Sequence, residues 1–275
     1  MTSFYVRERG AHGQERFFAT EHTRGPWSND HQHGGPPMAL MARALLNTPS
    51  RVDADGQSLD PPMQLTRLSV ELLRPVPIAA PLEVVTEVLA SGRRVHRLAA
   101  ALVSGDEQLA VGVGVRIRVQ ELDLPAGADG SARFEAPPPP ERGRLHQFEF
   151  FQHAVGYHTA TEVRILDGEP GSGHVRAWMR PRMPLLADEA TTALERVMLC
   201  ADAGHGIGRA LDGKRWNFIN PDTSVHLWRV PAGEWVGMDA QVAAGSMGVG
   251  LGNTQLFDAH GRIGAVLQGE VIQPR

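Results

Sequence analysis

The sequence repeats its own pattern once, about 155 residues further along the chain. The run Arg-Pro-Val-Pro at 74–77 has a counterpart in Arg-Val-Pro at 229–231, an offset of 155. A Gly-Asp turn before Leu109 has a counterpart before Ile263, an offset of 154. A spacing that stays nearly constant over several segments indicates an internal duplication, in which two copies of one structural unit are fused. The 275 residues of the chain suffice for two such units.

A segment rich in proline and glycine separates the two copies. It includes four consecutive prolines at 137–140, a composition typical of an extended linker and not of a packed core. The sequence therefore predicts a first domain over residues 1–120, a linker over 121–144 and a second domain over 145–275.

Each copy is predicted to combine one helix with several long strands. In the first copy, apolar residues at helical spacing follow the Gly-Gly-Pro-Pro run at 34–37, since proline fits the first turn of a helix. In the second copy, the helical pattern covers residues 189–208. A helix combined with long antiparallel strands predicts an α+β unit whose sheet wraps the helix. Strand patterns lie at 68–72, 82–88 and 109–117 in the first copy and at 159–166, 174–179 and around Val225, Trp235, Val249 and Val266 in the second.

Charge and composition exclude several classes of protein. The formal net charge is −4, and Lys and Arg are scattered along the sequence, which argues against a nucleic-acid partner because such a partner needs a basic face. No window contains the eighteen or so apolar residues that a membrane helix requires, and the polar residues 1–16 do not form a secretory signal. Cys200 is the single cysteine, so no internal disulfide forms and a cytoplasmic location is expected.

A series of short motifs covers nearly the whole chain apart from the linker. In this order, the motifs resemble those of the acyl-CoA thioesterase II group of double-hotdog proteins, in particular its bacterial thioesterase-like branch. The resemblance implies an α+β double hotdog, two tandem hotdog domains that each have a central helix wrapped by a long antiparallel sheet, and it leaves further self-association open. The motifs are HGGPPMAL at 33–40, LRPVP at 73–77, ADAG at 201–204, WNFINPD at 216–222, VHL at 225–227, PAGEW at 231–235 and GAVLQ at 264–268.

The same resemblance implies a site and a reaction. Such enzymes hydrolyse fatty acyl-CoA without a cofactor, a metal or a covalent intermediate, and an Asp, a Thr and a Gln hold the attacking water. In this chain the Asp falls on Asp202 and the Gln on Gln268, whereas the Thr position falls on Asn220, whose amide both donates and accepts hydrogen bonds. The start of the first helix, His33 with Gly34 and Gly35, is the candidate substrate-binding segment. Backbone amides at a helix N-terminus can stabilise an oxyanion.

The duplication predicts a single site per chain. Positions 155 residues before Asp202, Asn220 and Gln268 are occupied by Asn47, Leu65 and Val113, so the first copy lacks two of the three polar side chains. The second copy is therefore expected to carry the catalytic residues, while the first contributes partner surface and walls of the acyl pocket.

Several alternatives remain open at this stage. His22, His31 and His33 near Asp30 could suggest a metal site, but no further cluster completes it, and a polar loop before a helix explains them as well. The Gly-rich run at 204–208 ends a helix and does not join a strand to one, so a dinucleotide site fails its context test. The function is either an acyl-CoA or acyl-carrier thioesterase, a non-catalytic binder of acyl thioesters, which a replaced Thr would favour, or a hotdog enoyl-CoA hydratase.

Overall fold

Long antiparallel strands make up most of both halves of the chain. The computed structural model describes residues 2–10, 13–128, 130 and 137–275. The first half contains β1 (Tyr5–Arg9), β2 (Glu15–Ala19), helix α1 (Gly35–Asn47), β3 (Met63–Leu72), β4 (Glu83–Ser91), β5 (Val95–Ser104) and β6 (Glu107–Arg118). The second half contains β7 (Arg144–His146), α2 (Tyr157–Ala160), β8 (Thr161–Asp167), β9 (His174–Pro181), α3 (Ala193–Ala201), α4 (Gly204–Ile207), β10 (Trp216–Ile219), β11 (Asp222–Leu227), β12 (Val236–Ala244), β13 (Val249–Asp258) and β14 (Gly261–Pro274).

The two halves share one antiparallel sheet. Within the described residues it has twelve strands, in the order β4-β5-β6-β3-β11-β14-β13-β12-β9-β8-β7, with β10 beside β14. The halves meet where β3 pairs with β11, and there Ser69 lies opposite Ser224 with the two hydroxyl oxygens 2.7 Å apart. These two serines are 155 residues apart, which is the offset of the repeated motifs. The order β4-β5-β6-β3 in one half mirrors β12-β13-β14-β11 in the other, so the predicted duplication is confirmed.

Helix α1 is buried on nearly all sides because it lies between the sheet and α3. Its apolar residues Met38, Met41 and Leu45 are at most 2% exposed. Gly35 allows α3 to approach closely, since a Cβ at this position would collide with the carbonyl oxygen of Leu199 and only glycine lacks that atom. The crossing brings the start of α1 next to the end of α3, and the candidate site lies there.

The helical segment predicted over residues 189–208 is shorter and divided in the structure. Helix α3 begins after Thr192, whose side chain accepts from the Glu195 amide while the Glu195 carboxylate accepts from the Thr192 amide, a capping box that sets the helix start. The helix ends at Ala201 with Asp202 as its C-cap residue, and the single turn of α4 follows. The prediction was wrong at this break because apolar spacing alone does not locate a helix end, and the break turns Asp202 toward α1.

The predicted linker is only partly described. Residues 121–128 and 137–139 have no helix or strand, whereas Arg144, the last residue assigned to the linker, already belongs to β7. Residue 129 and residues 131–136 lie outside the described part of the chain. The domain boundaries at 120/121 and 144/145 stay a prediction, because both halves contribute to the same sheet. None of the helices described has the length and apolar composition needed to span a bilayer.

Candidate active site

A cavity of about 310 Å³ lies where the start of α1 meets the end of α3. Residues from both halves of the chain line it, as expected if the first copy supplies walls for a site in the second. A mainly apolar pocket with a few convergent polar groups is the usual form of a small-molecule site. The polar lining includes His33, Gly34, Asp202, His205 and Asn220, and the apolar lining includes Trp27, Val76, Phe148 and Phe150.

Asp202 is the centre of a buried hydrogen-bond cluster. Its Oδ1 accepts from the Asn220 side-chain amide at 2.7 Å, from the Thr223 hydroxyl at 3.2 Å and from the Gln268 side-chain amide at 3.4 Å. All four side chains belong to residues that are at most 7% exposed. The structure therefore brings the three residues predicted as catalytic into one cluster, although they are far apart in the sequence.

Gln268 carries an enclosed acceptor without a partner. Its Nε2 donates to the Asp202 backbone oxygen and to Thr223 Oγ1, both at 3.2 Å, so the amide cannot be flipped without directing its oxygen at these acceptors. In this orientation Gln268 Oε1 has no hydrogen-bond partner among the described residues. A buried acceptor of this kind is commonly satisfied by a bound water molecule.

Thr223 is the residue that sequence reasoning missed. The threonine position of the related enzymes was assigned to Asn220, yet a threonine three residues later reaches the same carboxylate. Thr223 lies on β11 and alternates with the outward-facing Ser224, so it points to the buried face together with Val225. The period-two burial pattern of this strand was the available signal. Asn220 and Thr223 therefore both contact the Asp202 carboxylate at this site.

His33 joins the cluster from the first half. Its ring stacks on Tyr157 with 3.7 Å between the ring centroids, and its Nδ1 lies 3.1 Å from Asp202 Oδ2 and 3.2 Å from the Gly35 amide nitrogen. The Gly35 amide donates to Nδ1, so Nδ1 is the unprotonated ring nitrogen. Its approach to Asp202 Oδ2 is a close contact without a hydrogen bond. Burial lowers the pKa of His33 to about 4, although the Asp202 charge opposes this shift. The imidazole is therefore neutral at pH 7.

The start of α1 is packed directly against the Asp202 carboxylate. A Cβ on Gly34 would lie 2.7 Å from Asp202 Oδ2, so this position requires glycine for the carboxylate to keep its place. Negative charge is favoured at a helix N-terminus, where backbone amides lack intrahelical partners. Of the predicted substrate-binding segment, His33 and Gly34 line the cavity, whereas Gly35 lies behind them against Leu199.

A second pair of titratable groups, not predicted from the sequence, lies beside the cavity. His205 on α4 lines the cavity, and its Nδ1 is 4.0 Å from Glu270 Oε1. Both atoms are enclosed and have no hydrogen-bond partner among the described residues. Burial lowers the pKa of His205 and raises the pKa of Glu270 to about 7, so burial favours the neutral form of both side chains.

Three of the four equivalent positions in the first half have no polar side chain. In the symmetry of the sheet, Leu65 and Leu68 correspond to Asn220 and Thr223, and both leucines are at most 1% exposed. Gly114 lies opposite Leu68 and corresponds to Gln268. The prediction had named Val113 for this position, a slip of one residue, which in a strand exchanges the buried face for the outer face. Within the described residues, no group of three or more His, Cys, Asp or Glu side chains is placed to hold a metal ion.

Comparisons with known proteins agree with this architecture. Residues 131–269 match the family described as acyl-CoA thioesterase C-terminal domain, and residues 23–117 match the acyl-CoA thioesterase N-terminal domain. Among curated proteins, none matches the sequence.

Solved structures that share the fold cover nearly the full chain. A protein of unknown function with the hotdog fold from Alicyclobacillus acidocaldarius is 13% identical with a TM-score of 0.71, covering 94% of this chain and 93% of that chain. An acyl-CoA thioesterase II from Mycobacterium marinum is 17% identical with a TM-score of 0.64, covering 98% and 96%. A 12:0-ACP thioesterase from Umbellularia californica is 12% identical with a TM-score of 0.52, covering 99% and 95%. At these identities the likeness shows the double-hotdog fold.

Proposed function

Because the chain belongs to the acyl-CoA thioesterase family, it is a thioester hydrolase, and we propose that it cleaves a medium- or long-chain acyl-CoA with a water held at Asp202. The observation that carries this proposal is the uneven use of the two Asp202 oxygens. Three side-chain donors converge on Oδ1, whereas Oδ2 lies against His33 and Gly34, two residues of the cavity wall. A carboxylate fixed through one oxygen can offer the other to a water molecule.

The attacking water lies between Asp202 and the amides of Asn220 and Gln268 in this proposal. Asp202 accepts one proton of the water, and the unpartnered Oε1 of Gln268 is an acceptor for the other. Thr223 and Asn220 hold the carboxylate in place through its other oxygen, Oδ1. Such positioning brings the water into line with the thioester carbonyl, which is one source of rate acceleration in a reaction without a covalent intermediate.

The reaction follows from that arrangement. The water oxygen attacks the carbonyl carbon as Asp202 takes its proton, and the carbonyl oxygen becomes an oxyanion. The amide of Gly34, at the N-terminus of α1, is the donor proposed for this oxyanion, and one such donor contributes about 3 kcal/mol to lowering the barrier. The tetrahedral intermediate then breaks its carbon–sulfur bond, the thiolate takes the proton from Asp202, and a carboxylic acid and a free thiol leave.

The walls of the cavity support an acyl chain as the substrate's tail. Trp27 lies against Phe150 and Phe218 with ring centroids 5.8 and 5.2 Å apart, and Phe150 lies 5.6 Å from Phe148. Aromatic and aliphatic walls gain free energy in proportion to the apolar area they cover. Asn220 suggested a non-catalytic binder because it stands where a threonine was expected, and the Thr223 hydroxyl at the same carboxylate supports the hydrolase.

A thiol-release assay tests the proposal. Wild-type protein is incubated with acyl-CoA and with acyl-carrier thioesters of short, medium and long chains, and the free thiol is measured. We expect turnover that Asp202→Asn lowers by at least about 1000-fold, the cost of losing a general base that also positions the water. Asp239→Asn is the matched control, since this carboxylate pairs with His174 on the sheet surface. Tight acyl-CoA binding without turnover at any chain length would identify a binding protein instead.

A further inference from the structure

A large groove lies on the opposite side of the sheet from the catalytic cavity. It has a volume of about 1140 Å³ and crosses β5, β6, β3, β11 and β14. On β3 the buried Leu68 faces the helices, whereas its neighbour Arg67 faces this groove. The groove is at the start of β3, near Gln64, and the cavity at its end, near Leu72. Eight residues of strand separate these positions by about 26 Å.

Five arginines line this groove, with Arg262 as the fifth beside the four that follow. Arg67, Arg94, Arg97 and Arg118 line it, and none of them forms an ion pair with a carboxylate in the described part of the chain. The Nε of Arg67 is also enclosed and has no hydrogen-bond partner there. Because the chain as a whole has a net charge of −4, this concentration of positive charge does not follow from composition. Like charges held together repel each other, and an anion that binds among them relieves the repulsion.

An aromatic side chain accompanies the arginines. Trp228 follows β11, lines the groove and is 45% exposed. Ile117 and Val119 give the groove an apolar part next to the arginines, and they are 42% and 52% exposed. Guanidinium groups bind phosphate oxygens with paired hydrogen bonds, and an exposed indole ring is a surface on which a nucleobase stacks.

We propose that the groove formed by Arg67, Arg94, Arg97, Arg118 and Trp228 is a second ligand site that binds a nucleotide with two or more phosphate groups. The arginines hold the phosphates, and the base lies on the indole ring. The volume of the groove exceeds what a single inorganic phosphate needs and agrees with a ligand of nucleotide size. The ligand is either a free nucleoside polyphosphate or the nucleotide half of coenzyme A. Since the groove and the cavity are on opposite faces, a nucleotide in the groove does not share a thioester with Asp202.

Direct binding measurements on the full-length protein test this site. ADP, coenzyme A and tripolyphosphate are titrated by calorimetry against wild type and against the double variant Arg94→Ala/Arg97→Ala, whose two side chains are exposed. We expect ADP to bind with an affinity that falls as salt rises and that drops by at least about tenfold in the double variant, since each lost phosphate contact removes part of the electrostatic binding. The matched control is Arg182→Ala/Arg215→Ala, which removes the same charge from exposed positions outside the groove and should leave the affinity unchanged.

Further binding measurements distinguish the possible ligands of the groove. Trp228→Leu should weaken ADP but not tripolyphosphate, and Asp202→Asn should leave ADP binding intact. If coenzyme A binds the groove more tightly than ADP and displaces it, the ligand is the nucleotide half of coenzyme A. If ADP binds more tightly than coenzyme A, the ligand is a free nucleotide. The proposal is overturned if ADP does not bind, if the groove and control variants lose affinity equally, or if tripolyphosphate binds as well as ADP.

Discussion

Replacing Glu270 with glutamine should make the protein more stable at neutral pH and leave its stability at acidic pH nearly unchanged. Glu270 is 3% exposed, its Oε1 has no hydrogen-bond partner among the described residues, and burial raises its pKa from 4.5 to about 7. The nearby His205 does not compensate the carboxylate charge, because burial lowers the pKa of this imidazole as well. The folded protein must therefore accommodate an unpaired buried charge once Glu270 ionises.

The size of the effect follows from the difference between the two pKa values. The folded state binds the proton more tightly than the unfolded state, so below pH 4.5 the carboxyl group imposes no penalty. Between pH 4.5 and about 7 the free energy of unfolding of the wild type falls by about 1.4 kcal/mol per pH unit, and above pH 7 the loss is constant. A shift of about 2.5 units thus corresponds to about 3 kcal/mol, which Glu270→Gln should recover because its amide does not titrate.

Urea unfolding of both proteins at pH 5, 6, 7 and 8 measures this difference. The gap in free energy of unfolding between Glu270→Gln and wild type should grow from under about 1 kcal/mol at pH 5 to about 3 kcal/mol at pH 8. Glu162→Gln is a control with the opposite sign, since hydrogen bonds from Arg164 and Arg180 outweigh burial and lower the pKa of Glu162. A gap that does not change with pH, or a wild type more stable than Glu270→Gln at pH 8, would refute the reasoning.

Three further predictions concern the site and its neighbours. Thr223→Val should lower kcat by about 100-fold while Thr223→Ser keeps most of it, because Thr223 contacts Asp202 through its hydroxyl and not through its methyl group. Equal losses of thiol release in the two variants would contradict this role. Gly34→Ala should also lower kcat by about 100-fold, since its Cβ would displace Asp202 Oδ2, and a normal kcat would exclude the contact. Cys200 is fully buried and its thiol pKa is raised by burial, so Ellman's reagent should detect it only after denaturation; a fast reaction in native protein would argue against this packing.

The sheet and its symmetry could be predicted from the sequence because their signals are local or repeated. Alternation of apolar and polar residues marks a strand wherever it occurs, and the offset of 155 needed only a comparison of the chain with itself. The structure repeats that offset at the pair Ser69 and Ser224. The end of a helix is harder to predict from local signals, since the break after Ala201 depends on the segments against which α3 packs.

Part of the candidate site could also be predicted, because two of its residues lie in recognisable local motifs. Asp202 and Gln268 came from motifs that resemble those of a known family, and the structure brings both to one hydrogen-bond cluster. Thr223 was missed because it stands between two quoted motifs and contributes only when β11 is aligned with β14. His205 and Glu270 carry no motif, and their relation arises from the approach of α4 to β14.

The sequence by itself determined two fused α+β units, an asymmetry that leaves polar site residues in the second unit, and a chain without an overall excess of positive charge. The tertiary structure alone decided which side chains meet. The arginines at 67, 94, 97 and 118 are scattered along the sequence but line one groove, because neighbouring strands place residues about 5 Å apart whatever their separation in the chain. In the same way α1 from one copy and α3 from the other together enclose Asp202. The physical reason is that strand register and helix crossing depend on packing between distant segments, which no local pattern specifies.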